Sequence, residues 1–228
     1  MHIGIESSSE EEDDDGEGQG EQSLNSWMIR GSCPVGDRKK KVPSLDPLHI
    51  VNIELDERGF ILNLNDITVA GFKDSDIHDL KYDFENQIFS MYLTVPRLEM
   101  TGKYNVKGKL LLIPISGNGD VNATLVNTKM WVDVKFQIKT FDGKSYIVKD
   151  EPAVRTEPKR AYIRFENLFN GNKVLGDQIN VFIDANWQDV YKELSPVLMQ
   201  ALGNIIISIT NKFERTATFD ELFPEKNH

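Results

Sequence analysis

The chain has 228 residues, enough to bury a sizeable core, with 36 acidic and 26 basic side chains, a net charge of −10 and one cysteine. The charge is concentrated at one end: residues 1–23 hold nine acids and no Lys or Arg, whereas residues 24–228 carry 27 acids against 26 bases. That near-neutral body offers no broad basic face to nucleic acid, and the single Cys33 excludes an internal disulfide.

Met1–Gly20, which includes SSSEEEDDDGEGQG, has too few apolar side chains to offset the entropy of ordering and is expected to be a disordered tail. It lacks the basic start and apolar run of a secretory signal peptide, so the chain taken literally reads as cytoplasmic or as one whose true start is missing. Cys33 stands apart from any His or acid and reads as a plain thiol. Arg38-Lys39-Lys40-Lys41 reads as a solvated linker rather than a nuclear signal or lipid contact. Residues 1–41 are therefore taken as tail and linker, and 42–228 as the folded domain.

From Pro43 to Phe165 the hydrophobic period is two. Phe60, Leu62 and Leu64 alternate with Ile61, Asn63 and Asn65; Met91, Leu93 and Val95 with Ser90, Tyr92 and Thr94; Met130, Val132, Val134, Phe136 and Ile138 with Trp131, Asp133, Lys135 and Gln137. These are half-buried strands. Turn signals fall at Asp56-Glu57-Arg58-Gly59, Glu85-Asn86, Thr101-Gly102, Gly117-Asn118-Gly119-Asp120 and Phe141-Asp142-Gly143-Lys144, which predicts an antiparallel meander of seven or so strands. Asp142-Gly143 is the strongest of them, because a primed two-residue turn needs positive φ at both positions.

From Lys173 to Phe213 the period changes. Apolar residues at Leu175, Ile179, Phe182, Val190, Leu194, Leu198, Leu202, Ile205, Ile209 and Phe213 recur at mostly helical spacing. An unbroken helix over this span would extend roughly 60 Å. Asp177, Asp184, Gln188 and Lys192 keep its first half polar on one stripe. Val197–Ile209 has only Gln200, Asn204 and Ser208 polar, so this half is expected to be buried nearly all round. Pro196 predicts a kink or local break between the halves. The late apolar run is too short to span a bilayer and contains Asn204, so stable membrane insertion is not expected.

An antiparallel sheet with one apolar face and a helix apolar on most sides satisfy each other if the sheet curls round the helix. The expected fold class is α+β, a strongly curved antiparallel β-sheet wrapped around one long C-terminal α-helix. Such a fit leaves an elongated apolar tunnel, and a dry, well-packed interior with no cavity of about 300 Å³ or more would count decisively against a ligand site there.

Four blocks, in order, carry a family resemblance. They are Val42-Pro43-Ser44-Leu45-Asp46-Pro47-Leu48; Gly102-Lys103-Tyr104-Asn105-Val106-Lys107-Gly108-Lys109 running into Leu112-Ile113-Pro114-Ile115-Ser116-Gly117-Asn118-Gly119; Asn167-Leu168-Phe169-Asn170-Gly171 with Asn186-Trp187 and Leu194-Ser195-Pro196; and Glu221-Leu222-Phe223-Pro224. From about Val42 to Pro224 the chain resembles the takeout and juvenile hormone-binding protein family of insects. The resemblance implies a tubular lipid-binding fold and a secreted carrier of juvenile hormone, related terpenoids or fatty-acid-like molecules. Family members usually begin with a signal peptide and an N-terminal helix that carries a disulfide-bonded Cys pair. Here only Cys33 is present, which implies a tunnel end without that cap. Asn122-Ala123-Thr124 fits a glycosylation acceptor, relevant only to a chain that enters the secretory pathway.

Nothing in the chain assembles a catalytic motif. His78, within Lys73-Asp74-Ser75-Asp76-Ile77-His78-Asp79, has no metal-ligand spacing; Gly143-Lys144-Ser145 lies in a hairpin without the upstream glycine of a phosphate loop; and Gly102 to Gly108 is strand rather than dinucleotide loop. The reading is therefore a non-enzymatic carrier of a small hydrophobic ligand, with no cofactor and no metal. The expected lining is Phe60, Leu62, Met91, Leu93, Leu98, Met130, Val134, Phe136, Val190, Leu194, Leu198, Leu202 and Ile205, with Tyr104 and Asn204 as candidates to orient a ligand oxygen. The rival readings are an interaction or signalling protein that acts through its surface or acidic tail, and an enzyme acting on lipids.

Overall fold

The computed structural model describes residues 46–57, 59–214 and 218–223. The acidic tail, Cys33 and the basic run lie outside the described residues.

Six strands form the sheet: β1 (Leu48–Glu57), β2 (Phe60–Ala70), β3 (Asp76–Asp83), β4 (Ile88–Leu110), β5 (Ile113–Phe141) and β6 (Lys144–Phe165). Their order is β1-β2-β4-β5-β6, with β3 also paired to β4, and every pairing is antiparallel. β2 pairs with β4 from Ile61↔Lys107 to Ala70↔Glu99, and β3 from Asp76↔Thr94 to Asp83↔Ile88. The two short strands thus lie end to end along one edge of β4.

Strand count and turns differ from the sequence expectation for a physical reason. Thr101-Gly102 and Gly117–Asp120 are interior to β4 and β5, which run unbroken for 23 and 29 residues. At Gly119 the glycine permits a close approach rather than a turn, since a Cβ there would sit 2.5 Å from the carbonyl oxygen of Glu166. The β4–β5 turn is instead Leu111-Leu112, both at positive φ (48° and 72°), with Leu112 88 % exposed. Neither residue is one that such a turn favours. Asp142-Gly143 turns as expected, at φ 50° and 75°.

The helices are α1 (Lys173–Ala185), α2 (Trp187–Glu214) and the short α3 (Phe219–Leu222). The break in the long helix falls at Asn186, not at Pro196. The Asn186 backbone N–H and side-chain Nδ2 both donate to Phe182 O, at 3.0 and 2.8 Å, while its own carbonyl accepts from Val190 N at 3.1 Å. One residue therefore closes α1 and seats α2. Pro196 sits inside continuous helix, where it and Lys192 are exposed, so water can satisfy the Lys192 carbonyl that loses its partner.

The polar stripe Asp177, Asp184, Gln188 and Lys192 is exposed, as expected. The buried line of α1 is Gly176, Asn180 and Ile183, whereas Leu175, Val174 and Val181 face solvent. Asn180 is turned inward because it serves the end of β6: its Oδ1 accepts from Phe165 N at 3.0 Å and its Nδ2 donates to Phe165 O at 2.8 Å. Asn211 holds the other end of β6 in the same manner, accepting from Lys149 N and donating to Lys149 O, both at 2.9 Å.

α2 packs along β6 and also reaches β1, the two edge strands of the curled sheet. It therefore bridges the two ends of the β1-β2-β4-β5-β6 path. Gly203 sets the closest approach, for a Cβ there would lie 2.7 Å from Val154 Cγ2 and 2.9 Å from the Pro152 ring. Burial of α2 is less complete than its composition suggests. Val197, Leu198, Ala201, Ile205 and Ile206 are half-buried, and Asn204 and Ser208 are exposed. By length and composition Trp187–Asn211 is apolar enough to cross a membrane, but Leu194, Met199, Leu202 and Ile209 are buried in the core. The core has two parts. The larger joins β1, β2, β4, β5 and β6 to α1 and α2; the smaller gathers Tyr82, Phe89, Val134, Phe136, Ile147 and Ile207, with Phe84, Phe219 and Phe223 packed against it.

Candidate functional site

Alternation along β1, β2, β4, β5 and β6 turns one row of side chains from each strand toward α2, and these rows enclose a cavity of about 70 Å³. Its wall is Ile50, Ile53, Leu62, Leu64, Val69, Leu98, Met100, Val121, Ala123, Leu125, Ile163 and Phe165 from the sheet. From α2 come Tyr191, Leu194, Ser195, Leu198, Met199 and Leu202. No charged side chain borders it, and only Tyr191 and Ser195 bring hydroxyls. The volume holds a handful of water molecules and falls below the roughly 300 Å³ expected of a ligand pocket. As it stands the cavity is too small for a hormone-sized guest, short of the open tunnel expected from the sequence.

Of the thirteen residues singled out in the sequence, Leu62, Leu98, Leu194, Leu198 and Leu202 border the cavity. Phe60, Leu93, Met130 and Val190 are buried in the surrounding larger core, with Met91 and Ile205 packed against it. Val134 and Phe136 lie in the smaller aromatic core. Ala123 and Leu125 were hidden from sequence reading because the glycines just before them read as a turn. Tyr191 and Ser195 were hidden because helical spacing singles out only apolar positions.

Tyr104 and Asn204 do not border the cavity. Tyr104 is buried with its edge to the Phe165 ring and donates its hydroxyl to Glu166 O at 2.6 Å. Burial, and secondarily the Glu166 carboxylate, push its pKa up to about 12. Asn204 is exposed and accepts from Gln200 Nε2 at 3.2 Å. His49 and His78, the His residues among those described, sit on the outer surface: His78 Nε2 lies 2.8 Å from Thr94 Oγ1, and His49 Nδ1 lies 3.2 Å from Thr68 Oγ1. Among the described residues no group of three or more His, Cys, Asp or Glu side chains is placed to hold a metal ion.

A curled sheet closed by a helix over an uncharged apolar cavity is the architecture of a hydrophobic-ligand-binding protein. The chain belongs to the haemolymph juvenile hormone binding protein family, whose model matches residues 21–224. It is 25 % identical over 204 residues to the circadian clock-controlled protein daywake of Drosophila melanogaster, covering 84 % of this chain and 78 % of that one. It is 24 % identical over 191 residues to a Schistocerca gregaria protein provisionally named for binding beta-carotene, covering 80 % of this chain and 76 % of that one. The crystal structure of takeout 1 from Epiphyas postvittana superimposes with a TM-score of 0.80 at 23 % identity, over 88 % of this chain and 93 % of the other, and shares its fold.

Proposed function

We propose that this protein binds a juvenile hormone-like terpenoid or a fatty-acid-like lipid between its sheet and α2, and carries it through aqueous surroundings outside the cell. The observation that carries the reading is the wall: of the eighteen side chains around the cavity, all but Tyr191 and Ser195 are pure hydrocarbon or thioether. Apolar ligand surface moved from water onto such a wall gains roughly 25 cal/mol per Å² before the costs of association. Met100 and Met199 add adaptability, since unbranched thioethers repack around differing shapes. The names of the relatives, which refer to juvenile hormone and to beta-carotene, support guests of this chemistry.

In this reading Leu62, Leu98, Leu194, Leu198 and Leu202 touch the guest first. Phe60, Met91, Leu93, Met130, Val190 and Ile205 join as the wall moves outward. Val134 and Phe136 meet only a guest long enough to reach the aromatic core. The test uses the fluorescent probe N-phenyl-1-naphthylamine with the purified chain. Enhanced emission that a fifteen-carbon terpenoid alcohol displaces, and that Leu198→Trp weakens at least tenfold in a folded variant, supports the reading. No enhancement at micromolar protein would sink it.

A further inference from the structure

The apolar cavity has a single polar corner. Tyr191 and Ser195 lie one helical turn apart on the cavity side of α2. The Tyr191 hydroxyl meets Thr156 Oγ1 of β6 at 2.5 Å. Thr156 thus fixes the Tyr191 hydroxyl, and Ser195 brings a second hydroxyl to the same stretch of wall. Each hydroxyl has one proton to give and two lone pairs. Ser195 can therefore give its proton to a guest oxygen. It can equally offer a lone pair to a guest hydroxyl. Hydroxyls rotate, so the same corner serves an oxygen acceptor or a hydroxyl donor. Burial raises the Tyr191 pKa, so the phenol keeps its proton near neutral pH.

We infer that Ser195, beside the Tyr191 hydroxyl that Thr156 fixes, receives the one neutral oxygen of an otherwise apolar guest, an alcohol, ester, aldehyde or epoxide. The wall brings no cation to an ionised carboxylate, whose burial without a counter-charge is strongly unfavourable. A hydrocarbon without oxygen leaves the corner unused. The inference rests on the carrier reading above and names the class of guest which that site prefers.

The test is displacement of N-phenyl-1-naphthylamine at pH 8 by four twelve-carbon probes: 1-dodecanol, methyl dodecanoate, dodecane and dodecanoate. The expected result is that the alcohol and ester bind at least tenfold more tightly than dodecanoate. Ser195→Ala and Tyr191→Phe should weaken the alcohol and ester about fivefold and leave dodecane within twofold, while Ser195→Thr keeps the alcohol. Dodecanoate binding as tightly as dodecanol, or Ser195→Ala weakening dodecane as much as dodecanol, overturns the inference while leaving the carrier reading standing. Failure of the fluorescent probe and all four competitors to bind the wild-type chain overturns both.

Discussion

Asn180 and Phe165 exchange two hydrogen bonds as if they were neighbours in a sheet, although one lies on α1 and the other ends β6. The amide side chain supplies what a further strand would have supplied to the last residue of β6. Asn180→Ala leaves a buried N–H and a buried C=O without partners, which by ordinary magnitudes is expected to lower stability by about 3 kcal/mol. Urea denaturation monitored by circular dichroism checks this. A loss under 1 kcal/mol would mean that water replaces the amide.

Thr128 is the opposite case. It is fully buried on β5, and its hydroxyl finds no hydrogen-bond partner among the described residues. Thr128→Val keeps the shape and removes the unsatisfied group, so the melting temperature is expected to rise with about 1 kcal/mol of added stability. A measured decrease would show that the hydroxyl is bonded.

Leu112 occupies left-handed backbone at φ 72° with its side chain almost wholly in solvent. A residue with a Cβ is strained there by roughly 1–2 kcal/mol. Leu112→Gly is expected to stabilise the hairpin by about 1 kcal/mol in chemical denaturation, with probe binding unchanged.

Tyr104 makes stability depend on alkaline pH. Its pKa is raised to about 12 in the fold, against the ordinary value of 10.0, so the folded chain holds the phenol proton more tightly than the unfolded chain. This contribution is fully present below pH 10 and is lost as pH rises from 10 through 12. Urea midpoints measured from pH 8 to 11.5 should fall above pH 10, and Tyr104→Phe should flatten that fall. Equal slopes for the two proteins would rule the phenol out.

Much of the sheet is legible because alternation reports directly on which face is wet. Phe60, Leu62 and Leu64 are all buried, and Asp142-Gly143 turns as its residue types demand. Leu111-Leu112 was illegible because the pairing of Leu110 with Ile113 forces a two-residue turn there against local preference. The same limit applies on the helices. A buried polar residue such as Asn180 looks, by composition, like a solvent-facing one, and only the position of β6 reveals that its amide is needed inside. Asn186 outcompetes Pro196 as the break because its side chain can cap α1, whereas an exposed proline can be carried within a solvated helix face. The candidate site was half legible: spacing finds Leu194, Leu198 and Leu202, but it passes over the hydroxyls between them.

The Asn211 hold on Lys149 has a further consequence when set beside Tyr191 and Gln200. α2 is pinned to β6 at Tyr191–Thr156, at Gln200 Nε2–Pro152 O (3.1 Å) and at Asn211–Lys149, with Pro196 between the first two pins and one helical bond missing there. A rod pinned at intervals gives way by bowing between the pins, not by sliding. The resistance a guest meets should therefore grow with its girth more than with its length. Straight twelve-carbon alcohols are expected to outcompete branched or ringed alcohols of equal carbon count, and equal competition would show that α2 leaves the sheet as a whole.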